Sequence, residues 1–254
     1  MPILAYILIF TFIGSIGSLI GGIILLSKEK LALRLSSFLT SFAAGVLLGT
    51  AFFDLLPEAL EENEGNGTNI FFWALMGLLL FFLLEHTIHW FHHHTKAQTE
   101  HEKEGASTLP LIIAGDTVHN FIDGIVIGAT FLASIPLGIA TTFAVAAHEI
   151  PQEIGDFGIM LHKGLSRTMA LLVNIASAAA ALIGALLAYS FWNFFEGYIA
   201  AALAMTAGFF IYISTSDIIP EIHEGENRKL ALVKSSLLVL GVIVVYVSFS
   251  LIKE

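Results

Sequence analysis

The chain has 254 residues, of which 56% are hydrophobic and 13% are Asp, Glu, Lys or Arg, and its mean hydropathy is +0.84. These values exclude an ordinary soluble domain and fit a polytopic membrane protein. The net charge of −10 is gathered in a few loops and inside apolar segments, which argues against nucleic acid as a partner; with no cysteine, disulfides and thiolate metal sites are excluded.

A span needs about 20 predominantly apolar residues. Eight segments qualify, at 3–26, 35–57, 69–91, 109–132, 135–160, 168–190, 197–219 and 232–252. The expected fold is all-α, a single transmembrane domain over 1–254. Segment 3–26 has no basic stretch before it and no small-residue cleavage site after it, so it reads as a retained span. Its Gly14, Gly17, Gly21 and Gly22 predict close helix packing.

Loop charges set the expected orientation. Lys28, Lys30 and Arg34 follow span one, Lys96 and Lys103 follow span three, Lys163 and Arg167 follow span five, and Arg228, Lys229 and Lys234 follow span seven. All fall on one side, and only Lys253 falls on the other. The positive-inside rule makes the first side cytoplasmic and both termini extracytoplasmic, in a multi-pass protein of a cell membrane. The opposite loops carry Glu58, Glu61, Glu62, Glu64 and Glu196. They either concentrate cations at an entrance or are simply tolerated there.

Span two ends in Asp54-Leu55-Leu56-Pro57-Glu58, and span seven in Asp217-Ile218-Ile219-Pro220-Glu221. The shared pattern at opposite ends predicts an inverted 3+2+3 arrangement, spans one to three against six to eight around four and five. The competing explanation is the ordinary placement of proline at helix ends. Residues 92–108 form an expected cytoplasmic loop rich in His and Glu, preceded by His86 and His89. It reads as a metal-holding or sensing loop, or as a solvated linker.

Spans four and five carry the chemistry. Asp116, His119, Asn120 and Asp123 lie three and four residues apart and make one polar stripe; His148 with Gln152 and Glu149 with Glu153 make adjoining rows, extended by Asp156. Central acidic residues cost about 2.5–3.5 kcal/mol each on the insertion scale, so these five carboxylates require a compensating cation or network. Pro151 frees the Ala147 carbonyl and predicts a kink, and Gly115, Gly124, Gly128, Gly155 and Gly158 predict close approach of the two helices. Imidazole, carboxylate and amide together suit Zn²⁺, and also Fe²⁺, Mn²⁺ and Cd²⁺. Without thiolate such a site binds and releases, as a carrier must. The other reading is a satisfied polar network that pins helix packing. His148-Glu149 also begins an H-E-x-x-H hydrolase pattern, but Gln152 stands at its fifth position and Pro151 interrupts the presenting helix.

His119-Asn120-x-x-Asp123-Gly124 and His148-Glu149-x-Pro151-x-Glu153 resemble the two signature helices of the ZIP (Zrt/Irt-like) metal transporters. The run from His148 to Phe157 is similar to the branch signature H-E-x-P-H-E-x-G-D-F, and Gly49–Glu58 and Gly208–Glu224 resemble the same branch. The resemblance implies eight spans, a binuclear site between spans four and five, a homodimer, and an elevator-like motion of spans one, four, five and six past the rest. It implies His119, Asp123, His148, Glu149 and Gln152 at a first metal position and Asn120, Asp123 and Glu149 at a second. Gln152 stands where the branch often has His, Asp54 replaces a common His, and Asn174 and Ser177 stand where some relatives have Glu. Lacking a leading histidine-rich or cysteine-bearing domain, the chain resembles a compact prokaryotic-type member.

The expected function is transport of a divalent metal, zinc first, into the cytoplasm, with no catalytic cofactor. Asp54 and Glu58 meet the ion outside and His86, His89 and His223 accept it inside. The competing classes are an intramembrane zinc hydrolase with Glu149 as base and a non-transporting metal sensor.

Overall fold

The computed structural model describes residues 2–27, 29–63, 67–94, 109–162, 164–192, 196–220 and 228–252. These are helical, with no strand among the described residues. Helices suit this sequence because a backbone placed in hydrocarbon must satisfy its own polar groups within the segment.

Helices α1 (Ile3–Gly14) and α2 (Ile20–Ser27) are joined by a 3-10 turn over Ile16–Leu19. Helix α3 (Glu29–Gly49) passes through a π-helical segment, Thr50–Leu55, into α4 (Leu56–Glu62). Then come α5 (Ile70–His94), α6 (Leu109–Ala133), α7 (Ile135–His162) and α8 (Arg167–Ser190). Helix α9 (Ile199–Tyr212) runs into a second π segment, Ile213–Ile218, and α10 (Arg228–Ile252) ends the described chain. Local signals fix several starts. Asn69 Oδ1 accepts from Phe72 N at 3.0 Å, and Ser166 Oγ from Met169 N at 3.2 Å, each capping a helix N-terminus.

Among the described residues, five stretches are long and apolar enough to cross a membrane: Ile3–Ser27, Phe38–Glu62, Arg167–Ser190, Ile199–Ser216 and Lys229–Ser248. Ile70–Leu84, within α5, is apolar but shorter. Helices α6 and α7 have 25 and 28 residues, long enough to span a bilayer core. Their polar stripes lower their hydropathy, so length survives where apolarity does not. Large apolar side chains such as Phe71, Leu83, Ile183 and Leu232 are exposed on the outer faces, as lipid contact allows.

Both D-x-x-P-E stretches begin within a π segment, at Asp54 and Asp217. Proline lacks an N–H and crowds the carbonyl four residues back, here Phe53 and Ser216, and both of those lie in the π segments. By contrast α7 runs as one helix through Pro151.

The helices pack as two sets. Helices α1, α2, α6, α7 and α8 contact one another, with α6 on α8 the most extensive pair. In the second set α10 packs on α3 and α9 on α5, and the sets meet chiefly where α3 crosses α7. Glycines face carbonyls reciprocally at these crossings. A Cβ on Gly45 would lie 1.9 Å from the Leu238 oxygen, and one on Gly241 2.3 Å from that of Phe42; Gly77 meets Met205 and Gly208 meets Ala74 likewise. Gly45→Ala is therefore expected to lower the thermal midpoint in detergent, by a destabilisation of about 1–3 kcal/mol, because backbone must move.

Gly124, Gly128, Gly155 and Gly158 do not serve the contact expected of them. Gly124 and Gly128 admit α8 (Ala181, Ala185 and Ala188) rather than α7, and nothing lies within 4 Å of a Cβ on Gly155 or Gly158. Small residues on α8, spaced along its packing face, draw α6 closer than the bulkier α7 does. In span one, Gly21 meets the Ile150 carbonyl and Gly22 the Phe157 ring, so packing is what those glycines do.

Candidate metal centre

The i, i+4 spacing sets His119 and Asp123 on one face of α6, and α7 brings His148 and Glu149 opposite them. One ligand atom from each lies within 4.8 Å of all the others. His119 Nε2 is 3.2 Å from His148 Nε2, 3.5 Å from Glu149 Oε1 and 3.8 Å from Asp123 Oδ2. His148 Nε2 is 3.3 Å from Asp123 Oδ2 and 3.9 Å from Glu149 Oε1. Tetrahedral zinc with bonds of about 2.0–2.2 Å separates its ligands by roughly 3.3–3.6 Å. The quartet therefore needs only small rotations to close on such an ion.

His148 Nδ1 is 3.1 Å from the Ala144 carbonyl, which can only accept, so a hydrogen bond there is donated by Nδ1 and turns Nε2 toward the centre. Asp123 Oδ2 and both Glu149 oxygens are buried without a hydrogen-bond partner among the described residues. In a low-dielectric interior, unpartnered carboxylate oxygens beside an imidazole lone pair favour a cation. The ring of Phe81 from α5 meets His119 edge-on at 5.7 Å, and that of Phe210 from α9 meets His148 at 6.4 Å. Thus the second helix set closes the quartet with aromatic edges.

A second polar cluster lies one turn away. Asn120 Nδ2 donates to Asp116 Oδ1 at 3.0 Å, and Asn120 Oδ1 accepts from Ser15 Oγ at 2.9 Å. Ser15 Oγ also lies 2.9 Å from the Ala178 carbonyl, and Ser18 Oγ donates to the Ser15 carbonyl. Glu153, Asn174 and Ser177 are buried, and among the described residues the Glu153 carboxylate oxygens and the Asn174 amide atoms have no hydrogen-bond partner. Asn120 is thus hydrogen-bonded to both Asp116 and Ser15.

The remaining expected residues lie on several elements. Gln152 and Asp156 are half-buried on α7. Asp54 is buried in the first π segment and Glu58 is half-buried in α4. His86 is exposed and stacked on Phe82. The His89 side chain, His223 and the loop over 95–108 lie outside the described residues. Ser15, Phe81 and Phe210 were missed. Ser15 and Ser18 interrupt an apolar span, which is a usable signal, whereas two phenylalanines among 21 carry none.

A family model described as "ZIP Zinc transporter" matches residues 2–110 and 109–248. The chain is similar to zinc transporter ZIP13 of Pongo abelii, 34% identical over 232 residues that cover 84% of this chain and 66% of that protein. It is 34% identical to zinc transporter ZIP10 of Homo sapiens over 153 residues (57% of this chain, 18% of that one). It is 45% identical to zinc transporter ZIP4 of Homo sapiens over 113 residues (44% and 17%). The chain spans just under two thirds of the first relative and less than a fifth of the other two.

Proposed function

Because this chain belongs to the ZIP zinc transporter family, we propose that it carries Zn²⁺ across a membrane into the cytoplasm. The observation that carries this reading is the quartet of His119, Asp123, His148 and Glu149, the last three buried, whose ligand atoms lie within 4.8 Å of one another without thiolate. Imidazole and carboxylate replace the hydration shell of the ion, and their moderate softness lets it leave again. Fe²⁺, Mn²⁺ and Cd²⁺ suit the same donors.

The finer reading has eight spans with both termini outside, a homodimer, and two metal positions. The quartet with Gln152 forms the first position; Asn120, Asp123 and Glu149, supported by Glu153, Asn174 and Ser177, form the second. Asp116 and Asp156 extend it inward toward His86, His89 and His223. An inverted 3+2+3 arrangement is supported by the two π segments and by Gly45 and Gly208, which stand nine residues before Asp54 and Asp217 respectively. Likewise Gly21 meets Ile150, two residues after His148, and Gly184 meets Phe121, two residues after His119. The division into two helix sets supports an elevator-like motion of α1, α2, α6, α7 and α8 past the rest.

Proteoliposomes holding the chain are expected to take up zinc in a saturable manner. Binding without flux would favour the sensor reading, and metal-dependent cleavage of a membrane peptide without flux the hydrolase. Gln152→His adds an imidazole, so zinc is expected to gain on manganese in competition uptake; an unchanged ratio would remove Gln152 from the first position.

A further inference from the structure

Ser15 is buried where α1 ends and the 3-10 turn begins. Its Oγ stands 2.9 Å from Asn120 Oδ1 on α6 and 2.9 Å from the Ala178 carbonyl oxygen on α8. Both oxygens only accept, and a serine hydroxyl has one proton, so its full bond goes to one of them at a time. The Asn120 amide is oriented from its other end. Its Nδ2 donates to Asp116 Oδ1 at 3.0 Å and to the Asp116 carbonyl at 3.2 Å. A flipped amide would set oxygen against both of those oxygens.

The two acceptors are not equivalent. Ala178 lies inside α8, where its carbonyl already accepts from the N–H four residues on. Asn120 is fully buried, and Ser15 is the one donor to its Oδ1 among the described residues. Without an ion the proton therefore belongs to Asn120, because an orphaned buried acceptor costs more than a second bond to a satisfied carbonyl gains. Once an ion takes Asn120 Oδ1, Ala178 receives the same proton with Oγ in place. We propose that Ser15 is a positioning residue for the metal position that includes Asn120, its hydroxyl turning to Ala178 as an ion arrives and back to Asn120 as it leaves. This inference rests on the reading of Asn120 as a ligand of the second position. The ion competes with a hydrogen bond for that oxygen, which keeps the position shallow, as release demands.

The test is zinc affinity of the full chain in nanodiscs, titrated against a competing chelator, together with the rate of zinc release. Ser15→Ala removes the competing donor. It is expected to tighten binding roughly two- to fivefold and to slow release by a similar factor, a part of what one neutral hydrogen bond is worth. A role in packing alone predicts the opposite sign, weaker binding. The tightening is expected to vanish when Asn120 is also replaced by Ala, because Ser15 acts through that amide. Ser15→Cys keeps a weaker donor and is expected to fall between the parent and Ser15→Ala. Unchanged or weaker binding in Ser15→Ala, or tightening that persists without Asn120, overturns this inference alone. Parent affinity in Asn120→Ala removes Asn120 from the metal positions, and the second position falls with the inference. Where Ser15→Ala does not fold, Ser15→Cys decides: affinity no higher than the parent's overturns the inference.

Discussion

Zinc uptake into proteoliposomes is expected to fall to near background when His148 is replaced by Ala, and again when Asp123 is. Each variant deletes one of the four proposed ligand atoms and leaves three. Loss of a residue that merely supports a ligand costs about 10–100-fold in metal affinity or activity, so loss of a ligand itself is expected to exceed that. His148→Ala also removes the Nδ1 contact to Ala144 that orients the ring. His119 is the most exposed of the four, at 14%, and its replacement is expected to cost less than that of His148, at 2%. The measurement is initial-rate uptake of radiolabelled zinc, with helix content and thermal midpoint checked on the same preparations. Uptake above a third of the parent rate in a folded His148→Ala protein would remove the quartet from the transport path.

The quartet was legible because helical spacing is a property of sequence alone. His119 with Asp123, and His148 beside Glu149, must share faces on any two helices, and the cost of burying them required that the faces meet. What spacing does not supply is the partner. Asn120 is on the polar stripe, but its amide is taken by Asp116 and Ser15. Ser15 comes from a distant span whose glycines dominated its pattern. The same gap explains Gly124, which admits α8 rather than α7: a small residue announces close approach without saying to what. The paired D-x-x-P-E stretches were visible as pattern, while the π winding beneath them was not, since proline at a helix end is equally compatible with a simple stop. Phe81 and Phe210 were invisible for a plainer reason. Their contacts to the histidines depend on how the two helix sets are placed, and an aromatic residue in an apolar span has no sequence feature that marks it.

Glu149→Leu is expected to raise the thermal midpoint in chelator while abolishing both zinc uptake and the stabilisation that zinc gives the parent. Glu149 is 1% exposed, and neither of its carboxylate oxygens has a hydrogen-bond partner among the described residues. A buried polar group left without a partner destabilises, whereas an apolar side chain of similar shape does not. The insertion-scale cost of a central acidic residue, about 2.5–3.5 kcal/mol, bounds the gain from above. Zinc stabilises the parent by mass action, by about 2.7 kcal/mol at a hundred times its dissociation constant; the variant, one ligand short, is expected to lose that response. The sign of the shift in chelator separates two accounts of the same residues. If they were a packing network already satisfied within the protein, removing Glu149 would orphan its partners and lower the midpoint. A higher midpoint joined to lost flux instead means that the chain holds Glu149 at a standing energetic cost, one that only a passing cation offsets.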